Sequence, residues 1–132
     1  MACVDDLAYF HFLEVPEIRD TPTACLVLIS RWVRRQTGED HLPDGVLGMT
    51  QEEAEAAMSK WGGLPLQVGR VCRQKGFPLV RDPVPGDIGV VKVGQTLSCG
   101  VRTASGWLAW VDHHPTWVAS SCVRCVASWR IA

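Results

Sequence analysis

The sequence lacks an excess of charge of either sign: thirteen lysines and arginines stand against fourteen aspartates and glutamates, for a formal net charge of −1. Such a balance generates no global field to hold nucleic acid or an anionic membrane, so neither is expected as a partner. A long apolar run is also missing, and no stretch approaches the roughly 18 residues that a bilayer-spanning helix requires. Met1 to Asp6 is acidic where a secretory signal carries basic residues. The chain is therefore expected to be made in a cytoplasm and to leave it only within a larger particle. No glycine-rich loop follows a strand-like run, which leaves no phosphate cradle, and no cofactor is expected. Internal repeats and low-complexity tracts are absent as well.

What is present fits one globular domain over residues 1–132, with 47% hydrophobic and 20% charged residues. Six cysteines stand at 3, 25, 72, 99, 122 and 125. Without an export signal they are read as reduced thiols rather than a disulfide framework. Cys122 and Cys125 form half of a zinc-ribbon pattern, but no second CxxC or HxxxH lies at a matching distance. No metal is expected; the two cysteines are read as small hydrophobes in an apolar strand.

The first part of the chain, residues 1–76, reads as helical. Leu7, Phe10 and Leu13 recur at helical spacing before Pro16. Thr21-Pro22 supplies a cap followed by proline at the first helical position. The apolar face Cys25, Leu28, Ile29, Trp32 and Val33 then continues to Thr37-Gly38. Residues 39–48 hold the turn formers of a loop. Thr50 and Glu53 have capping-box spacing ahead of a helix through Ala54, Ala57 and Met58 to Gly62-Gly63. Leu64 to Lys75 reads as a further helix with Leu66, Val68, Val71 and Cys72 inward, closed by Gly76.

From residue 84 to 131 the pattern becomes strands: Ile88 to Val93, Leu97 to Thr103, Trp107 to Val111, and Cys122 to Ile131. Gly94-Gln95 and residues 104–106 are hairpin-sized connections, so the sheet is expected to be antiparallel. Helices first and a meander afterwards define an α+β fold.

One residue in this layout invites chemistry. Cys25 falls in the first turn of its helix, among unpaired backbone N–H groups whose partial positive charge favours a thiolate. A cysteine nucleophile also needs a proton acceptor opposite it. Flanked by Ala24, Leu26, Val27 and Leu28, the same residue reads equally as an inert packed thiol.

A thiol at the head of a buried helix, followed by a Pro-Gly-Asp turn into an antiparallel sheet, resembles the NlpC/P60 branch of papain-like cysteine peptidases. Cys25 to Trp32, Thr37 to Asp40, Pro85-Gly86-Asp87-Ile88-Gly89-Val90-Val91 and Ala127-Ser128-Trp129-Arg130-Ile131 are similar to a small family of phage and prophage tail-module proteins that itself resembles NlpC/P60 domains. The resemblance covers residues 20–131. It implies a papain-like fold, residence in the virion tail, other tail proteins as partners and peptidoglycan as the substrate of any activity, with Cys25 as nucleophile. It also implies a histidine base opening the strand after the Gly-Asp strand, where this chain has Ser98 in Leu97-Ser98-Cys99-Gly100-Val101. A serine accepts no proton from a thiol at neutral pH. The substitutes in reach of the pattern are His113 and His114, one strand further on, whereas His11 and His41 have no sequence reason to face Cys25.

Six tryptophans complete the inventory. Trp107, Trp110 and Trp117 are expected to present an interface surface. Two principal readings follow. One is a degenerate peptidase-like domain kept as a structural or assembly component of a phage tail tip; the other is a working cysteine hydrolase that cuts peptidoglycan cross-links during DNA entry. A stand-alone hydrolase of a small amide or thioester uses the same thiol.

Overall fold

The computed structural model describes residues 24–38 and 63–131, together with positions 50, 52, 53 and 56. Among the described residues, helices α1 (Ala24–Thr37) and α2 (Leu64–Lys75) precede strands β1 (Leu79–Val80), β2 (Ile88–Val93), β3 (Thr96–Arg102), β4 (Gly106–Val111), β5 (His114–Ala119) and β6 (Arg124–Trp129). A 3₁₀ turn, Ser120–Cys122, leads into β6. All pairings are antiparallel, in the order β1-β6-β2-β3-β4-β5. The α+β class is as expected.

Helix α1 forms because Val27, Leu28, Ile29, Trp32 and Val33 bury one side of it, while Arg34 and Arg35 occupy its last turn beside the unsatisfied carbonyls. Leu28 is fully buried, which stabilises the fold by about 1.5–3 kcal/mol relative to an exposed leucine. The Gly38 N–H closes the helix on the Arg34 carbonyl at 2.8 Å. The predicted cap at Thr21-Pro22, the leading helix over Asp5 to Leu13 and the loop over 39–48 lie outside the described residues. The Thr50 and Glu53 capping box is present in both directions. Glu53 N–H donates to Thr50 Oγ1 at 3.1 Å, and Thr50 N–H to Glu53 Oε1 at 3.4 Å.

Helix α2 runs over the residues expected and ends at Gly76. There φ is 77°, a left-handed conformation that a side chain would disfavour, and the Phe77 N–H reaches back to the Cys72 carbonyl at 2.9 Å. Val68 and Cys72 are buried as predicted, but Leu66 is 65% exposed. Positions two apart on a helix lie roughly 200° around its axis, so Leu66 and Val68 cannot share a face.

Strand β2 spans the predicted residues, and β3 and β4 differ from prediction by one residue at their ends. Two strands went unread in the sequence. β1 is only two residues long, and β5 contains Pro115, which is tolerated because β5 is an edge strand. The hairpin joining β4 to β5 turns on Asp112 and His113, at φ 50° and 71°, the signature of a type I′ turn.

The sheet has two unlike faces. Ile88, Val90, Cys99, Val101, Leu108 and Trp129 pack against the helices in the main core. Val91, Trp107 and Ala109 form a smaller cluster on the other face. A bulge in β6 skips Val126 between the pairs Val90–Ala127 and Val91–Cys125. This extra residue places Cys125 opposite Val91, on the face away from the helices. Gly89 allows Trp107 to lie against the strand, since a Cβ there would stand 2.8 Å from the indole and 2.9 Å from the Ala127 carbonyl.

Candidate functional site

Three turns of α1 carry Cys25, Leu28, Ile29 and Trp32 along the side that packs on β3 and β4. Cys25 occupies the first of them, as the sequence indicates, and is partly buried against the main core. Side chains alternate along a strand, so β3 directs Cys99 and Val101 towards the helices and Ser98 and Gly100 away from them. Cys25 consequently packs against the core cluster that contains Cys99, whose thiol influences its ionisation.

The resemblance places its proton acceptor at Ser98, one residue earlier on the opposite face. Ser98 Oγ lies 2.8 Å from the Trp110 carbonyl and 3.2 Å from that of Cys99. It is 1% exposed and serves the strand pairing.

The Cys99 thiol is the largest influence on Cys25, drawing its pKa from 9.0 down to about 7; burial opposes the shift, and backbone N–H groups of Cys99, Leu26 and Cys25 assist it. Cys99 itself is fully buried, and donating to the Cys25 sulfur while out of water holds its pKa well above 9.0. Cys72, on the buried side of α2, is pushed up to about 12 by burial and adds to the electrostatic cost of ionising Cys99. One ionisable thiol thus stands beside thiols that keep their protons.

His113 and His114 are not part of this arrangement. Both are exposed, His113 in the β4–β5 turn and His114 at the start of β5. Among the described residues no imidazole contributes to the state of Cys25. His11 and His41 lie outside the described residues.

The motif residues with polar side chains hold the frame together. Trp32 Nε1 donates to the Gly86 carbonyl at 2.7 Å. Asp87, 2% exposed, accepts from the Arg130 guanidinium at two 3.2 Å contacts and from the Val84 N–H at 2.8 Å. The Asp87 hydrogen bonds and charge raise the Arg130 pKa further. The Arg130 N–H donates to the Pro78 carbonyl at 3.0 Å.

Trp107 is 2% exposed and belongs to the core of the far face, which corrects its expected place on an interface. Its neighbours Val91 and Ala109 enclose it because β4 turns its odd-numbered residues to that side. Trp110 and Trp117 are partly exposed, and Trp117 Nε1 lies 3.4 Å from Thr103 Oγ1. A groove of about 550 Å³ opens between α2 and the β1–β6 edge, lined by Leu66, Leu79, Trp129, Arg70 and Arg73 among others. Cys122 and Cys125 are exposed, and among the described residues no three histidine, cysteine or acidic side chains are arranged to hold a metal ion.

Cys99 is a neighbour of this site that the sequence motifs do not indicate: alternation groups it with Val101 and Ser98 with Gly100, but the pairing of the sheet decides which of the two sets faces α1. No protein-family model, curated protein or solved structure matches the chain.

Proposed function

We propose that this chain is a structural or assembly component of a phage tail tip, built on a degenerate NlpC/P60-like, papain-type fold. The observation that carries the reading is the pairing of Cys25 with the Cys99 thiol, in the region where the resemblance calls for an imidazole. A peptidase must take the proton of its nucleophile and later hand one to the leaving amine. Cys99, whose pKa burial and the neighbouring Cys25 hold well above 9.0, keeps its own proton and is no base for that of Cys25. The resembling motifs instead hold the frame, Trp32 tying α1 to the turn at Gly86 and Asp87 tying the start of β2 to the end of β6 through Arg130. Docking to other tail proteins needs shape rather than a base. Partly exposed Trp110 and Trp117 and the exposed Leu66 and Leu79 provide apolar area for it.

The competing reading, an active endopeptidase on peptidoglycan, draws on the Cys25 thiol, whose pKa of about 7 leaves a sizeable thiolate fraction at neutral pH. One pair of measurements separates them: mass-spectrometric detection of the chain in purified tail particles, and assay of the purified protein on peptidoglycan. The structural reading expects the chain in the particle and no release of peptides. Release that Cys25→Ala abolishes, or tails complete without the chain, overturns it.

A further inference from the structure

We propose that two copies of this chain pair through β5, edge to edge and antiparallel, about a two-fold axis at Trp117. The inference goes beyond the tail assignment and stands or falls separately from it. Its basis is the direction of the backbone groups of β4 and β5. The Gly106 carbonyl accepts from the Thr103 N–H at 2.8 Å and the Gly106 N–H donates to Thr103 Oγ1 at 3.2 Å, so both polar groups of Gly106 face the β3 side. Trp110 likewise turns its carbonyl to the Ser98 hydroxyl of β3, at 2.8 Å. Backbone groups alternate along a strand, so β4 offers to β5 the groups of Trp107, Ala109 and Val111, whose partners are Val118, Thr116 and His114. Pro115, Trp117 and Ala119 consequently aim theirs at the outer edge, where among the described residues no strand pairs with them.

A two-fold axis through Trp117 satisfies these groups with a copy of themselves. The N–H and carbonyl of each Trp117 exchange bonds with those of the other, and each Ala119 N–H donates to the carbonyl of the opposite Pro115. Pro115 has no N–H to leave unpaired there. Charge does not oppose the meeting: His114–Ala119 contains no lysine, arginine, aspartate or glutamate, and lysine is the usual guard of an edge strand. Side chains add to it. Trp117 stands opposite Leu108, on the helix side of the sheet, but β5 lies beyond the strands that α1 covers, so the ring is partly exposed. The axis sets one Trp117 ring against the other, an aromatic pair across two strands. The other edge of the sheet is the two-residue β1, so the pairing uses up β5 in both copies and closes at a dimer. One strand pair and its indoles bury less than the roughly 1,200 Å² of a permanent interface, so the dimer is a weak one that forms with rising concentration.

Sedimentation velocity of the full chain from micromolar to millimolar concentration tests this, with dithiothreitol present so that exposed Cys122 and Cys125 do not cross-link copies. The proposal expects the mass to rise with concentration from that of one chain towards that of two, and no further. Ala119→Pro removes the outward donor of each copy. Ala119 already has φ −60°, which proline adopts, and its N–H takes no part in the pairing with β4, so the monomer keeps its melting temperature. The dissociation constant of that variant is expected to rise at least about tenfold. Amide hydrogen exchange reads the same edge without a substitution. Trp117 and Ala119 gain protection as concentration rises, whereas Thr116 and Val118, bonded to β4, are protected throughout. Should Ala119→Pro fail to fold, these amides decide. A chain that stays monomeric at every concentration, a folded Ala119→Pro that dimerises as tightly as the parent, or Trp117 and Ala119 amides that exchange equally fast when dilute and concentrated would overturn it.

Discussion

The indole N–H of Trp32 donates to the carbonyl of Gly86 at 2.7 Å, joining the buried side of α1 to the turn that opens the sheet across 54 positions of sequence. Trp32→Phe keeps an apolar ring there but leaves the carbonyl without its partner. The expected cost is about 1–3 kcal/mol, read as a lower urea midpoint at unchanged slope. An unchanged midpoint would show that water replaces the indole.

Asp87 and Arg130 are an unequal pair, with side-chain exposures of 3% and 41%. Arg130→Met strands a buried carboxylate, whereas Asp87→Asn leaves a cation that solvent still reaches. Denaturant unfolding should therefore rank Arg130→Met as the more destabilising of the two. The reverse order would mean that the Val84 N–H bond to Asp87 is the dominant contact at this corner.

Iodoacetamide labelling of Cys25 followed against pH should show a midpoint near 7, the value to which the Cys99 thiol draws it. In Cys99→Ala the donor is lost while burial remains, so the midpoint moves up towards 9.0 or beyond. A midpoint that stays near 7 would assign the shift to the helix N–H groups instead.

The same thiols give stability a dependence on pH. Between about 7 and 9.0 the folded chain has released the Cys25 proton and the unfolded chain still holds it. This contribution is complete above 9.0 and is lost as pH falls through about 7. Cys72 acts in the opposite sense: below 9.0 it is protonated in both states, and as pH rises towards about 12 the unfolded chain ionises first and is favoured. Thermal unfolding should show the thiol contribution highest near 9.0, and Cys25→Ala should flatten the rise below that pH.

Gly89→Ala forces a methyl group to within 2.8–2.9 Å of the Trp107 ring and the Ala127 carbonyl. The indole can tilt, but the carbonyl belongs to the pairing of β2 with β6, so the expected cost is about 1–3 kcal/mol. Calorimetry should record a lower melting temperature, and Trp107→Ala in the same chain should relieve only the clash with the ring.

His113→Ala and His114→Ala should leave Cys25 labelling rates unchanged, because both histidines sit on the exposed β4–β5 hairpin. A drop in rate for either variant would restore it as a base and favour the hydrolase.

Local rules made much of this molecule readable from its residues. The 3.6-residue spacing of Leu28, Ile29, Trp32 and Val33, the left-handed stop at Gly76 and the glycine turn at Gly94 each depend on a few neighbouring positions. So do the limits of α2 and β2, and they were found where expected. The face of Leu66 was misread although the helix period determines it. Strand β5 escaped because a proline excludes only interior strands, and edge position is a property of the whole sheet.

What the sequence alone determined is the α+β order and a cysteine in the first turn of a buried helix; both follow from periodicity and turn chemistry over short spans. Only the tertiary structure decided what that cysteine faces. A shift of one residue along β3 exchanges Ser98 for Cys99 at the sulfur, and the register that selects between them is set by pairing with β2 and β4 and by packing under α1. The burial of Trp107 and the turning of Cys125 to the far face have the same origin, since long-range pairing and a bulge, not local sequence, choose the side on which a strand residue emerges.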